Sequence, residues 1–394
     1  LTRQYRFLNI HLFFITNFAY RNDYGFYEFV SEGFKHHKRR QAMKKSILGL
    51  LIIMLLIMTA PAPSRGADVI KLKAANYLPV THPMSLLTGW FCEEVKKRTN
   101  GRVEVAYHPG GTLLSPVKMY DGVVTGIADM GFSHIQYTRG RFPVMEVFDL
   151  PLGFPSGWVD TQVATDFFNK FKPKEWNDVH VLYVTTTGPL ILETISKPVR
   201  TLEDLKGLKI RATGQLADII KALGGVPVPL PMPDVYESLR RGVIDGVSVD
   251  LSTLKYWKFA EVTKFVTAYW QLGTGITFYY VMNKNKWNAL PPDIQKIITE
   301  VALEAREKQA ALWDQMDIEG RDLFTGQGGQ VISLSDAESS KWIKAVDPVI
   351  ADYKKNMVSK GYKETEVDGW LKFIKERIDY WQKEQKKRGL TSAF

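Results

Sequence analysis

Val69-Ile70-Lys71-Leu72-Lys73-Ala74-Ala75 reads as a β-strand, Pro79-Val80-Thr81-His82-Pro83 as the loop after it, and residues 84–99 as a helix that stops at Asn100-Gly101. Pro83 suits a first helical turn, where its missing N–H would have no partner anyway. Asn100-Gly101 suits the far end, where the chain must turn out of the helix. Val103-Glu104-Val105-Ala106-Tyr107 alternates like a strand. A helix follows around residues 115–125, then a strand over residues 128–133. This strand–helix–strand–helix–strand order predicts a parallel sheet with right-handed crossovers.

Working outward, a second series of the same kind begins near Val179. Val181-Leu182-Tyr183-Val184-Thr185, Leu208-Lys209-Ile210-Arg211 and Val243-Ile244-Asp245-Gly246-Val247 read as strands, with Val226–Val228 and the two residues after it extended. Helices are expected over residues 215–223, ending at Gly224-Gly225, and over residues 234–241. Thr201-Leu202-Glu203-Asp204 offers a helix start resembling a capping box, with Asp in the usual Glu/Gln position. Residues 273–281 are strand-like and return the chain to the first series. Beyond Pro292 the pattern is helical, over residues 293–315, 335–357 and Glu364–Lys387. In the last of these, Val367, Trp370, Leu371, Ile374, Ile378 and Trp381 share a face. The fold class is therefore α/β: two lobes with mixed sheets, hinge crossovers and long C-terminal helices. A cleft between such lobes is where a ligand is expected.

The 394 residues are 45% apolar and 24% charged, which excludes a disordered tail, a collagen-like repeat and a disulfide scaffold. One cysteine, Cys92, leaves no internal disulfide and no cysteine-based zinc site. The formal charge of +10 is concentrated upstream: residues 1–67 carry +7 and residues 68–394 only +3. The main body thus has little field to draw nucleic acid. Met43-Lys44-Lys45, an apolar stretch from Ile47 to Met58, and a small-residue exit through Ala60, Ala62, Ser64 and Gly66 describe a secretory signal peptide. The expectation is a periplasmic protein secreted through a cleaved signal. Residues 1–42 are read as a non-native or mis-annotated upstream extension.

Motifs for bond chemistry are scarce. His82, His108, His134 and His180 show no i, i+4 pairing, so no metal is expected. No phosphate-cradling glycine loop and no nucleophile elbow occur. Ser252-Thr253-Leu254-Lys255 matches the Ser-x-x-Lys acylation motif, but no Lys-Thr-Gly follows it. No catalytic residue, metal or cofactor is assigned.

Gly207-Leu208-Lys209-Ile210-Arg211-Ala212-Thr213, Leu223-Gly224-Gly225-Val226-Pro227, Met232-Pro233-Asp234-Val235-Tyr236-Glu237-Ser238-Leu239 and Gly242-Val243-Ile244-Asp245-Gly246 follow in order. Phe259-Ala260-Glu261-Val262-Thr263-Lys264-Phe265 then precedes Met282-Asn283. Over residues 68–380 the chain resembles the DctP-type extracytoplasmic solute receptors of tripartite ATP-independent periplasmic (TRAP) transporters. The resemblance implies two lobes that close on a small organic acid and then dock on a permease of small and large membrane subunits. It places the ligand-carboxylate cation at Arg211. A planar guanidinium gives two charge-assisted hydrogen bonds and stays protonated when desolvated.

Asn76, Tyr77, His134, Met232, Trp270, Phe278 and Asp250 are the further ligand-binding candidates. Two departures from the family pattern bear on the ligand. Val247-Ser248-Val249-Asp250 lacks the Asn of the sialic-acid and dicarboxylate branches, and the place of a second carboxylate-facing Arg falls near Ile191. A monocarboxylate with an apolar or aromatic body fits better. The expected organisation is residues 43–67 as signal, 68–187 as first lobe, 188–276 as second lobe, 277–334 as return to the first, and 335–394 as helices bracing both. The rival readings are a secreted hydrolase and a sensor-linked binding protein without a transport role.

Overall fold

The computed structural model describes residues 69–393, so the extension and signal segment read in the sequence lie outside them. The chain runs β1 (Ile70–Asn76), α1 (Pro83–Arg98), β2 (Val103–His108), α2 (Met119–Val124), β3 (Met130–His134), α3 (Gly157–Phe171) and β4 (Val179–Thr186). It continues β5 (Ile191–Thr194), α4 (Leu202–Leu205), β6 (Lys209–Arg211), α5 (Leu216–Ala222), β7 (Val226–Val228), α6 (Val235–Arg240), β8 (Gly246–Val249), α7 (Thr253–Tyr256) and β9 (Phe265–Ala268). It ends β10 (Thr277–Asn283), α8 (Lys284–Ala289), α9 (Pro292–Gly326), β11 (Gln330–Ser333), α10 (Asp336–Ser359) and α11 (Glu364–Lys387).

The strands form two sheets, ordered β2-β1-β3-β10-β4 and β11-β9-β5-β8-β6-β7. In the first, β1 is parallel to β2 and β3, as the strand–helix alternation predicts. The returning β10 enters antiparallel between β3 and β4, with every residue buried, which makes the sheet mixed. Local chemistry fixes the elements around it. The His82 Nδ1 accepts the Met84 N–H at 3.2 Å and caps α1, while Lys96, Lys97 and Arg98 sit at its negative end. Thr201 and Asp204 complete a reciprocal capping box at α4.

Two short crossovers join the sheets, residues 187–190 and 269–276, and they are bonded to each other. Thr187 N–H donates to Ile276 O at 3.1 Å, Leu190 N–H to Thr274 O at 3.0 Å, and Ile276 N–H to Thr187 Oγ1 at 3.1 Å. A paired, two-strand connection bends as one hinge. Gly273 in the second crossover has φ +51° and lies against the backbone of residues 153–154, where Phe154 N–H donates to Gly273 O at 3.1 Å.

The third connection is α9, 35 residues and roughly 50 Å long at 1.5 Å per residue. It runs from α1 and β4 in the first lobe past α7 to β11. Here the expected span of residues 277–334 needs correction: β11 pairs in parallel with β9 in the second sheet, so the end of that span joins the second lobe. The helix outruns the expected 293–315 because Gly320 is no breaker. It is the contact point where α9 passes the loop after β8: a Cβ there would lie 2.0 Å from Leu251 O. Of the predicted face on α11, Val367, Trp370, Ile374 and Ile378 are buried, and the helix packs on α3. α10 touches both lobes. It packs on α5, and its Tyr353 hydroxyl donates to Pro143 O at 3.0 Å.

Asp314 on α9 accepts the Gly157 N–H at 2.7 Å and the Trp158 N–H at 3.3 Å, capping α3 from outside. Burial pushes its carboxyl up to about 7. The native state therefore holds this proton to higher pH than the unfolded chain, and the stability it contributes falls as pH rises from about 4 to about 7. Between pH 5 and 8 in urea titrations, the native chain is expected to lose about 2 kcal/mol more than Asp314→Asn. Equal slopes would refute the assignment. Gly273→Ala places a Cβ 2.2 Å from Phe154 N at positive φ. It is expected to cost about 3 kcal/mol, read as a lower melting temperature; an unchanged melt would contradict the hinge packing.

Candidate functional site

Between the lobes lies a narrow cavity of about 30 Å³, the space open to the centre of a water molecule. Tyr77, Leu78, His82 and His134 line it from the first lobe. Arg211, Met232, Val249, Asp250, Ser252, Thr253 and Trp257 line it from the second, with Ile276 and Phe278 at the second crossover and Trp313 on α9.

Arg211 is the last residue of β6, held in parallel register with β7 and β8. Only 1% of its surface is exposed. Its Nε donates to Leu230 O at 2.9 Å, and its Nη2 has no partner. Among the described residues no carboxylate forms an ion pair with it. A buried guanidinium without a counter-charge costs several kcal/mol, and an incoming anion would remove that cost. The neighbouring imidazoles do not share its charge. Burial depresses His82 to about 3, and burial together with Arg211 holds His134 well below its ordinary range, so both are neutral.

Aromatic rings make the walls. His134, the last residue of β3, lies 3.7 Å from the Tyr137 ring, 5.2 Å from Phe278 and 6.2 Å from Tyr77, centroid to centroid. Phe278 stacks on Phe132 at 5.2 Å and leans on Trp313 at 5.3 Å. The Tyr137 hydroxyl accepts the Met232 N–H at 2.9 Å across the cleft, within hydrogen-bonding reach of Tyr77 and Arg211. Tyr77 feels both Arg211 and Asp250, and burial raises its phenol well above the ordinary range.

The structure thus brings Arg211, Tyr77, His134, Met232, Phe278 and Asp250 to one cavity. Asn76 is a correction: it is fully buried away from the cavity, and its amide is spent inside the first lobe. Its Nδ2 donates to Thr88 Oγ1 at 3.1 Å and its Oδ1 accepts the Leu78 N–H at 2.9 Å. That amide holds the turn that aims Tyr77. Trp270 lies in the short turn Trp270–Leu272 of the second crossover, and its side chain is outside the described part. Sequence reasoning missed Tyr137, His82, Trp257 and Trp313. Tyr137 had a signal: it stands three residues after His134 on the turn Ile135–Thr138, where i and i+3 side chains eclipse.

The Ser-x-x-Lys segment is divided between other partners. Ser252 Oγ donates to Asp250, and Lys255 pairs with Glu319 at 2.6 Å. Cys92 is buried and its thiol is pushed up to about 12. Among the described residues no cluster of three His, Cys, Asp or Glu could hold a metal ion.

Residues 74–356 match the family described as bacterial extracellular solute-binding protein, family 7. The C4-dicarboxylate-binding protein DctB of Bacillus subtilis is 25% identical over 296 residues, covering 73% of this chain and 83% of its own. A TRAP periplasmic solute-binding protein of Desulfovibrio salexigens, solved in an open complex, is 34% identical with a TM-score of 0.69, over 80% of this chain and 97% of its own. A TRAP solute-binding protein of Rhodoferax ferrireducens, solved with copurified benzoate, is 25% identical with a TM-score of 0.75, over 80% and 99%. These relatives are binding proteins; neither the hydrolase nor the sensor reading gains support. The chain belongs to family 7 of the extracellular solute-binding proteins, the DctP-type receptors that hold small organic acids for TRAP transporters.

Proposed function

We propose that this receptor captures a monocarboxylate with an apolar or aromatic body, that Arg211 grips the carboxylate, and that the ligand leaves chemically unchanged. The buried, unpaired guanidinium carries the reading. It is the only Lys or Arg among the cavity residues, so a second ligand carboxylate would find no fixed cation. Tyr77, Phe278, Trp257 and Trp313 offer flat apolar faces to the rest of the guest. The benzoate in the Rhodoferax relative supports that body type.

The cavity is smaller than any aromatic acid, so the hinge opens to admit the guest before the lobes close around it. Contacts made by both lobes favour the shut form and shift the population toward it. The shut form then docks on the small and large permease subunits. A cleaved signal at residues 43–67 would deliver the chain to the periplasm.

In calorimetric titrations, benzoate or phenylacetate is expected to bind, and succinate to bind more weakly. Arg211→Met should fold, since a buried unpaired charge is removed, and should lose about 100-fold or more in affinity. Undiminished affinity in a folded Arg211→Met protein would refute the anchor. Tyr137→Phe leaves the Met232 N–H without its acceptor on closure. About a tenfold weaker affinity is expected with the melting temperature of the open protein little changed; wild-type affinity would remove Tyr137 from the closing contact.

A further inference from the structure

The cavity holds a second charged group that a simple carboxylate would not satisfy. Asp250 lies at the end of β8 with 4% of its surface exposed, and it lines the same cavity as Arg211. The two form no ion pair, although Tyr77 is close enough to both to feel each charge. Asp250 is held by donors from behind. Its Oδ1 accepts the Ser252 N–H at 3.2 Å and the Ser252 hydroxyl. The Asp317 carboxyl on α9 accepts the same Ser252 N–H at 2.9 Å, which brings the two carboxyls to one donor. Burial raises the Asp250 carboxyl and holds Asp317 and the neighbouring Glu193 well above the ordinary carboxylate range, so of the three Asp250 is the most readily ionised, and it is the one that lines the cavity. Glu193 is engaged by Thr253 Oγ1 at 2.7 Å and does not line the cavity.

A guest made only of a carboxylate and hydrocarbon would seal Asp250 against apolar surface, with its own negative charge nearby. A guest with a hydrogen-bond donor would give Asp250 a partner while Arg211 takes the carboxylate. We propose that the ligand carries a hydroxyl or amino group beside its carboxylate, and that Asp250 accepts a hydrogen bond from it. The inference rests on the receptor reading above and narrows it to hydroxy or amino acids. A purely structural Asp250, capping its own loop, would affect all acids alike.

The test is calorimetric titration of the full chain with three acids of one skeleton: phenylacetate, mandelate and phenylglycine. Mandelate, phenylglycine or both are expected to bind at least about tenfold tighter than phenylacetate, the gain from one more hydrogen bond to a charged acceptor. A preference for mandelate identifies the donor as hydroxyl, and one for phenylglycine as ammonium. Asp250→Ala should bring the three within about threefold of each other. Phenylacetate binding as tightly as both others in the wild type overturns this inference and leaves the receptor reading standing; that comparison needs no variant to fold. A preference that survives in Asp250→Ala also overturns it. Absence of binding by any acid overturns both readings.

Discussion

A guanidinium buried without a counter-charge is the constraint around which this molecule is organised. Arg211 ends a strand in the middle of the second lobe, and the closed cleft removes it from water. Such a group is tolerated in a stable domain only if its ordinary state has water or an anion beside it. In the function proposed above, opening the cleft would supply water and a bound acid the anion, so the electrostatics of one residue would favour two conformations. The aromatic lining sharpens the effect, because rings exclude water from the charge.

Two crossovers bonded side by side, and α9 packed on both lobes, are the connections about which the proposed opening would turn. Small residues carry the close approaches. Gly273 lies on the backbone of residues 153–154, and Gly320 lies on the loop that positions Asp250 and Ser252. Buried carboxyls gather at the same place: Asp314 caps α3, and Asp317 meets both Asp250 and the Ser252 amide. The cavity wall and the hinge support are thus one connected polar structure beneath an apolar lining.

Much of this was legible in the sequence, for identifiable reasons. Strand–helix alternation gave the parallel core of the first sheet, and the apolar spacing on α11 gave its packing face, because each depends on local periodicity. The run of motifs around Arg211 singled it out, and it lines the cavity; that it holds the ligand is the proposal made above. Asn76 was misplaced because an Asn after a strand can face a ligand or hold its own turn, and only the Thr88 and Leu78 contacts decide which. Tyr137 was missed because it packs on His134 and bonds to Met232 from a turn, and Trp313 because it reaches the cavity from a helix far along the chain. β11 escaped notice because only two of its four residues are apolar: Val331 is 41% exposed and only Ile332 is buried. A strand at a sheet edge carries little pattern of its own.

The most direct test of the central claim is a crystal structure of the receptor with a bound carboxylic acid. The account predicts both ligand carboxylate oxygens about 3 Å from nitrogens of the Arg211 guanidinium, with the lobes closed around the guest. A bound acid that leaves Arg211 untouched, or an Arg211 paired with a protein carboxylate while the guest sits elsewhere, would contradict it.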